Sequence, residues 1–268
     1  VVENGQRLFL RWVLGMQEYL QTIIVEAGKL AKEYFEAGVS HRTKSNLGDL
    51  VTDADIAVNN YLVKMIQEKY PDHAIHTEEN KEDINPGAEY EWVIDPIDGT
   101  RNFAVGISFW CNMIAILKNG ELMMSAIYHP IANELFFAEK GKGTTMNGEP
   151  VHVNTVNSLN FGFGICSRGE HTTFDAEFKR MISRLATDTT CWMHNYGTML
   201  PCCYVATGGA DFYAGNPGFD HDYLPVALIC SEAGALVTDC EGNPWQRGRR
   251  DIVIANPALH PKILELLK

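Results

Sequence analysis

Paired cysteines are what this chain most clearly lacks. Seven cysteines stand at 111, 166, 191, 202, 203, 230 and 240, an odd number with two adjacent and no C-x-x-C. That spacing fits neither a zinc site nor a disulfide framework, and it suits a reducing, cytoplasmic setting. Long apolar runs are also missing, and none reaches the roughly 20 residues that cross a bilayer. Basic charge is scarce, with 22 Lys plus Arg against 34 Asp plus Glu and a net charge of -12. Such a chain has no general attraction to nucleic acid or anionic membrane. There is no internal repeat and no low-complexity tract. The opening "VVENGQRLFLRWVLG" lacks the cleavage pattern of a signal peptide. Residues 1–15 are therefore set aside, with Met16 as a candidate native start.

What is present reads as an α+β protein. From Met16, the apolar residues Tyr19, Leu20, Ile23, Ile24, Ala27, Leu30, Ala31, Tyr34 and Phe35 recur at helical spacing, and Gly38 stops the run. "TDADIAVNNYLVKMIQEKY" gives a second helix with Ile56, Leu62, Met65 and Ile66 as its stripe and Thr52 or Asp53 as its cap. Asn119-Gly120 and Asn147-Gly148 sit between apolar runs and predict tight hairpins. After about residue 150, strands and helices alternate: "FGFGICS", 174–185, "MLPCCYVATGG", "ADFYAG", 222–233, "ALVTD", "DIVIAN" and a C-terminal helix. The chain reads as one domain over 1–268, with helices and an antiparallel sheet in 16–150 and an α/β half in 151–268.

Acid is abundant, and its placement points to chemistry. In "WVIDPIDGT", Asp95 and Asp98 close an apolar strand. Two carboxylates at close quarters repel unless a cation lies between them, and Mg²⁺ prefers carboxylate, carbonyl and water oxygens. Pro96 stiffens the segment, the Ile97 carbonyl can join the same site, and Gly99 lets backbone approach a ligand. The amides of Gly99 and Thr100 form an anion site if they open a helix. An ordinary acidic turn is the plain alternative. Further acids shift the balance: Glu78 and Glu79 in "HTEEN", Asp49, Asp53 and Asp55 in "DLVTDAD", and Asp220 and Asp222 in "GFDHDYLP". Asp222 is expected to cap a helix, with Pro225 in its first turn. His73 and His76 read as a surface strand edge, and "RGRR" at 247–250 as a solvated basic turn.

Together these residues resemble the inositol monophosphatase family, which is grouped with fructose-1,6-bisphosphatase. "WVIDPIDGTRNF" is similar to the signature D-P-[ILV]-D-G-T-x-N-[FL], and "HDYLPVALICSEAG" to the later W-D-x-A-x-G with E-A-G following. The Asp-to-Glu distance puts Asp222 on the signature aspartate and Glu232 on the glutamate. The resemblance implies a layered αβαβα sandwich and a Mg²⁺-dependent phosphomonoesterase. Glu78, Asp95 and the Ile97 carbonyl would hold one ion, and Asp95, Asp98 and Asp222 a second. Glu78 would share a third. Thr100 and Asp55 would deprotonate a water. Gly99 and Thr100 amides would hold phosphate, and Ser167 and Arg168 would approach the substrate. Lys44 matches a lysine near the metals, or is an exposed loop lysine.

The match departs at three places. His221 replaces the usual Trp, "YLPVA" stands where small residues are common, and Gly215 stands where the inositol enzymes carry a hydroxyl-gripping acid. Asp211, Asn216 and Asp220 are possible replacements for that acid. The expected substrate is inositol monophosphate or a related small polyol phosphate. Alternatives are fructose 1,6-bisphosphate, histidinol phosphate, a 3′-phosphonucleotide, or a role as a partner of transcription or RNA machinery. A homodimer and inhibition by Li⁺ are also implied.

Overall fold

The structure is a computed structural model that describes residues 2–38, 41–43, 50–169 and 173–268. Lys44 and Asp49 lie outside these residues. Helix α1 spans Val2–Ala37, longer than expected, because it continues upstream of Met16. A short antiparallel pair, β1 (His41–Thr43) and β2 (Leu50–Thr52), follows without a sequence signal of its own. It leads into α2 (Asp53–Lys69), where Thr52 and Asp55 form a reciprocal capping box. Such a cap contributes about 1 kcal/mol. The inward stripe of α2 is Ala54, Val58, Leu62 and Ile66 at four-residue spacing. Ile56, expected to be part of it, is 44% exposed.

Seven strands follow: β3 (Ala74–Thr77), β4 (Tyr90–Asp98), β5 (Cys111–Lys118), β6 (Glu121–His129), β7 (Glu134–Glu139), β8 (Gly143–Met146) and β9 (Glu149–Val151). They lie side by side in chain order, β3 parallel to β4 and the rest antiparallel. Between β4 and β5 runs the short helix α3 (Thr100–Ala104). The two Asn-Gly hairpins form as expected. Asn119 and Gly120 have φ of 50° and 80°, and Asn147 and Gly148 have 51° and 85°. Positive φ at both positions matches the twist of paired strands.

The remaining elements are β10 (Phe163–Ser167), α4 (Asp175–Asp188), β11 (Trp192–His194), α5 (Leu200–Ala206), β12 (Phe212–Gly215), α6 (Asp220–Glu232), β13 (Leu236–Thr238), β14 (Ile252–Ala255) and α7 (His260–Leu267). The second sheet has the order β11-β10-β12-β14-β13. Edge strand β11, with its exposed Trp192, had no alternating pattern to announce it.

Period-two alternation in the strands divides the core into layers. Ile114 and Ile116 of β5 face α1 and α2, packing with Leu20, Ile24, Val58 and Leu62. Cys111 and Met113 face the other way, onto a middle layer of α5 and α6 with Cys202, Val226 and Ile229. Tyr213, Ile252 and Ile254 of the second sheet close that layer from beyond. Their neighbours Phe212, Ala214, Val253 and Ala255 pack on Phe178, Leu185, Ile263 and Leu267 of α4 and α7. The order is α, β, α, β, α. Several cysteines are thus small core residues, and all seven are free thiols.

Candidate functional site

β3 and β4 pair in parallel with Thr77 opposite Ile94, and the Glu78 amide still donates to the Ile94 carbonyl at 3.1 Å. That register brings Glu78 beside Asp95. The "DPID" segment is no simple turn. β4 runs through it, and Asp95 to Asp98 faces only Met113 to Cys111, so one extra residue bulges out. A bulge re-aims side chains, and here it lets two buried acids meet. Gly99 then caps α3 at φ 92°, and a Cβ there would stand 3.1 Å from Thr198 Cβ.

Each acid is positioned by its neighbours. Asp55 Oδ2 accepts from the Thr52 amide at 2.7 Å and from the Thr52 hydroxyl, while its Oδ1 lies 3.1 Å from Thr100 Oγ1. The Thr100 hydroxyl is also 3.0 Å from the Ile97 carbonyl, so its one proton serves either acceptor. Asp98 Oδ2 accepts from the Met199 amide at 2.6 Å, from the Thr198 hydroxyl and from Cys111 Sγ at 3.3 Å. That leaves its other oxygen available. Thr198 and Met199 carry no sequence signal for this role, because they lie a hundred residues away and belong to no acidic motif. Asp222 is not the N-cap, a position that Phe219 holds. Asp222 is the third residue of α6, its carboxylate accepting from the Phe219 amide at 2.6 Å. Pro225 therefore sits inside the helix, where its missing N–H costs the His221 carbonyl its usual donor.

Among the described residues, two groups bring one donor atom each within 4.8 Å of the others: Asp95, Asp98 and Asp222, and Glu78, Asp95 and His221. Burial and the facing Glu78, Asp98, Asp222 and Asp55 hold the Asp95 carboxyl well above the usual carboxylate range. Burial and Asp222 push Asp98 up to about 7, against the hydrogen bonds from Thr198 and Met199. Burial also raises Asp222 and Asp55, opposed by His221 and by Thr52 respectively. Asp95 Oδ1 is buried with no hydrogen-bond donor. An orphaned carboxylate oxygen amid other acids fits a divalent cation, which supplies the missing positive partner.

The candidate replacements at the Gly215 position are occupied elsewhere. Asp211 accepts from the Phe163 amide at 2.6 Å and Asn154 Nδ2 at 2.7 Å. Asn216 bridges Gly169 and Thr173, and Asp220 accepts from Arg247 Nε at 2.7 Å. Ser167 ends β10 opposite Gly215 and hydrogen-bonds the Tyr213 phenol, whose own position leaves a Cβ on Gly215 only 2.5 Å from its oxygen. Glu232 clamps the Gly141 and Gly143 amides at 2.8 and 2.9 Å, a structural task. Arg168 pairs with Asp175, and Arg101 is exposed.

The "RGRR" turn is not a freely solvated loop. Arg247 also grips Glu91 with two nitrogens, Arg249 meets Asp239 and Asp251, and Arg250 stacks 3.7 Å from the Phe219 ring centroid. With Phe219, His76, Glu78 and His221, Arg249 and Arg250 line a pocket of about 370 Å³ beside the acids. His73, expected on a surface edge, is stacked between Tyr70 and Tyr90 and accepts from Trp92 Nε1 at 3.0 Å.

An αβαβα sandwich whose buried acids call for a cation defines the metal-dependent sandwich phosphatases as a class. Within it, the chain belongs to the inositol monophosphatase family, whose model matches residues 15–268. It is 30% identical over 268 residues to an inositol monophosphatase of Dictyostelium discoideum, covering 94% of this chain and 96% of that one. It is 31% identical over 248 residues to the Nus factor SuhB of Pasteurella multocida, covering 89% and 90%. The structure of the extragenic suppressor protein suhB from Bartonella henselae superposes with a TM-score of 0.87 at 25% identity, covering 95% of this chain and 98% of that chain. Family membership supports phosphatase chemistry with Mg²⁺. No described helix is long and apolar enough to cross a membrane.

Proposed function

We propose that the chain is a cytoplasmic Mg²⁺-dependent phosphomonoesterase for inositol monophosphate or a related small polyol phosphate. The observation that carries this is the buried, donor-less Oδ1 of Asp95, the residue shared by the two groups of potential metal ligands. Glu78, Asp95 and the Ile97 carbonyl would hold one ion, Asp95, Asp98 and Asp222 another, with a third shared by Glu78. Bound there, an ion would supply a lowered pKa for a water, orientation of the phosphate and neutralisation of the leaving oxygen. Thr100 and Asp55, whose Oγ1 and Oδ1 lie 3.1 Å apart, would take a proton from the attacking water. The Gly99 and Thr100 amides at the start of α3 would receive phosphate oxygens. Ser167 would stand further out, toward the alcohol.

Release of phosphate from a panel of inositol, fructose, histidinol and 3′-nucleotide phosphates, with and without Mg²⁺, tests this reading. Turnover is expected only with the ion, and greatest for inositol monophosphate. A preferred non-inositol ester would overturn the substrate, and metal-independent release the mechanism. Among the described residues no spare carboxylate stands near Gly215, and this together with the aromatic and arginine lining of the neighbouring pocket favours the other esters as a second reading. Li⁺ is expected to inhibit by competing for a metal position.

A partner role beside catalysis is suggested by the relatives named as Nus factors. A homodimer has support in Phe161 and Trp192, neighbours at the β11 edge that are 83% and 66% exposed. Trp192→Glu is expected to shift the mass measured by light scattering toward the monomer.

A further inference from the structure

Resting on the cation site just proposed, we propose that His221 is a direct ligand beside Glu78 and Asp95, giving that position a preference for a transition-metal dication. The two groups that share Asp95 differ in chemistry. Asp95, Asp98 and Asp222 offer oxygen alone, whereas Glu78, Asp95 and His221 add an imidazole nitrogen within the same 4.8 Å. Hard Mg²⁺ favours the first set, and imidazole draws Zn²⁺, Co²⁺ or Ni²⁺ to the second.

Three observations turn His221 toward the acids. Its side chain is only 14% exposed, and its ring is sandwiched between Phe219 at 5.6 Å and His76 at 6.3 Å, so its orientation is held by stacking. His76 itself is engaged by Asp83 at 2.7 Å and does not compete. The Nε2 atom of His221 lies 3.6 Å from Asp222 Oδ2, beyond a proper hydrogen bond. The independent sign of a missing cation is Asp95, the residue both groups share, whose Oδ1 is buried and without a donor.

The test follows metal binding rather than turnover. Metal-free protein and His221→Gln are titrated with Co²⁺, reading visible absorption, and with Mg²⁺, reading heat. The native chain is expected to bind one Co²⁺ at least tenfold more tightly than His221→Gln, with Mg²⁺ affinity changed less than threefold. Long-range ¹⁵N correlation spectra with Zn²⁺ should move the His221 ring nitrogens and leave those of His76 in place. Equal Co²⁺ affinity in the two proteins, or unmoved His221 nitrogens, overturns the proposal. Melting of both metal-free proteins at the same temperature shows that the variant folds. Phosphate release with Mg²⁺ alone reports separately on the phosphatase reading, so either idea can fail without the other.

Discussion

Asp95 differs from the other acids because its Oδ1 has no donor at all, while Asp98 has three donors on one oxygen. Asp95→Asn should therefore lower phosphate release by more than a hundredfold, beyond what loss of an outer support costs. It should also raise the melting temperature of the metal-free protein by removing a buried repulsion, which a thermal scan in chelator would read. A melting temperature that falls instead would mean that the acids do not repel in the folded state. Thr198→Val tests the supporting layer. It removes one donor from Asp98 and should weaken Mg²⁺ binding about 10- to 100-fold by calorimetry, with the fold intact.

The elements that hold the site are ordinary pieces brought unusually close. Helix α1 lies so near the first sheet that a Cβ on Gly28 would stand 2.4 Å from Tyr128 Cδ1 and 2.8 Å from Pro130 Cγ. Gly28→Ala must push α1 off β6, and overpacking of this kind costs about 1–3 kcal/mol. Chemical denaturation should show that loss with the hairpins unaffected. Gly99→Ala meets both a φ of 92° and Thr198, so it should lose about 1–2 kcal/mol and misplace Asp98 as well. Activity is then expected to fall further than stability alone would explain. The comparison of activity at temperatures well below melting separates the two effects.

For the molecule as a whole, the cluster couples stability to pH and to metal. Asp98 and Asp95 keep their protons in the folded state above the usual 3.8, so the unfolded chain releases protons first as pH rises. Stability of the metal-free protein should therefore fall from about pH 4 upward, through the value near 7 at which Asp98 ionises. Mg²⁺ compensates the charge, so the gap in melting temperature with and without the ion should widen between about pH 5 and pH 8. A constant gap would mean that the ion binds elsewhere. The facing groups Glu78, Asp55, Asp222 and His221 all belong to this balance.

Much of this was legible along the chain, because periodicity and turn chemistry act locally. The Asn-Gly hairpins, most helices and strands of the second half, and the acids of "DPIDG" follow from residue type and spacing. Contacts between distant segments decided the rest. Only packing made Ile56 an outward residue, continued β4 through Asp98 with a bulge, and set Asp222 at the third helical position. Only packing tied Asp211, Asn216 and Asp220 to other partners, and brought Thr198 and Met199 to Asp98 from a hundred residues away. A sequence states which groups can carry charge. Whether those charges meet, and what must lie between them, depends on distances that exist only once the sheets and helices have packed.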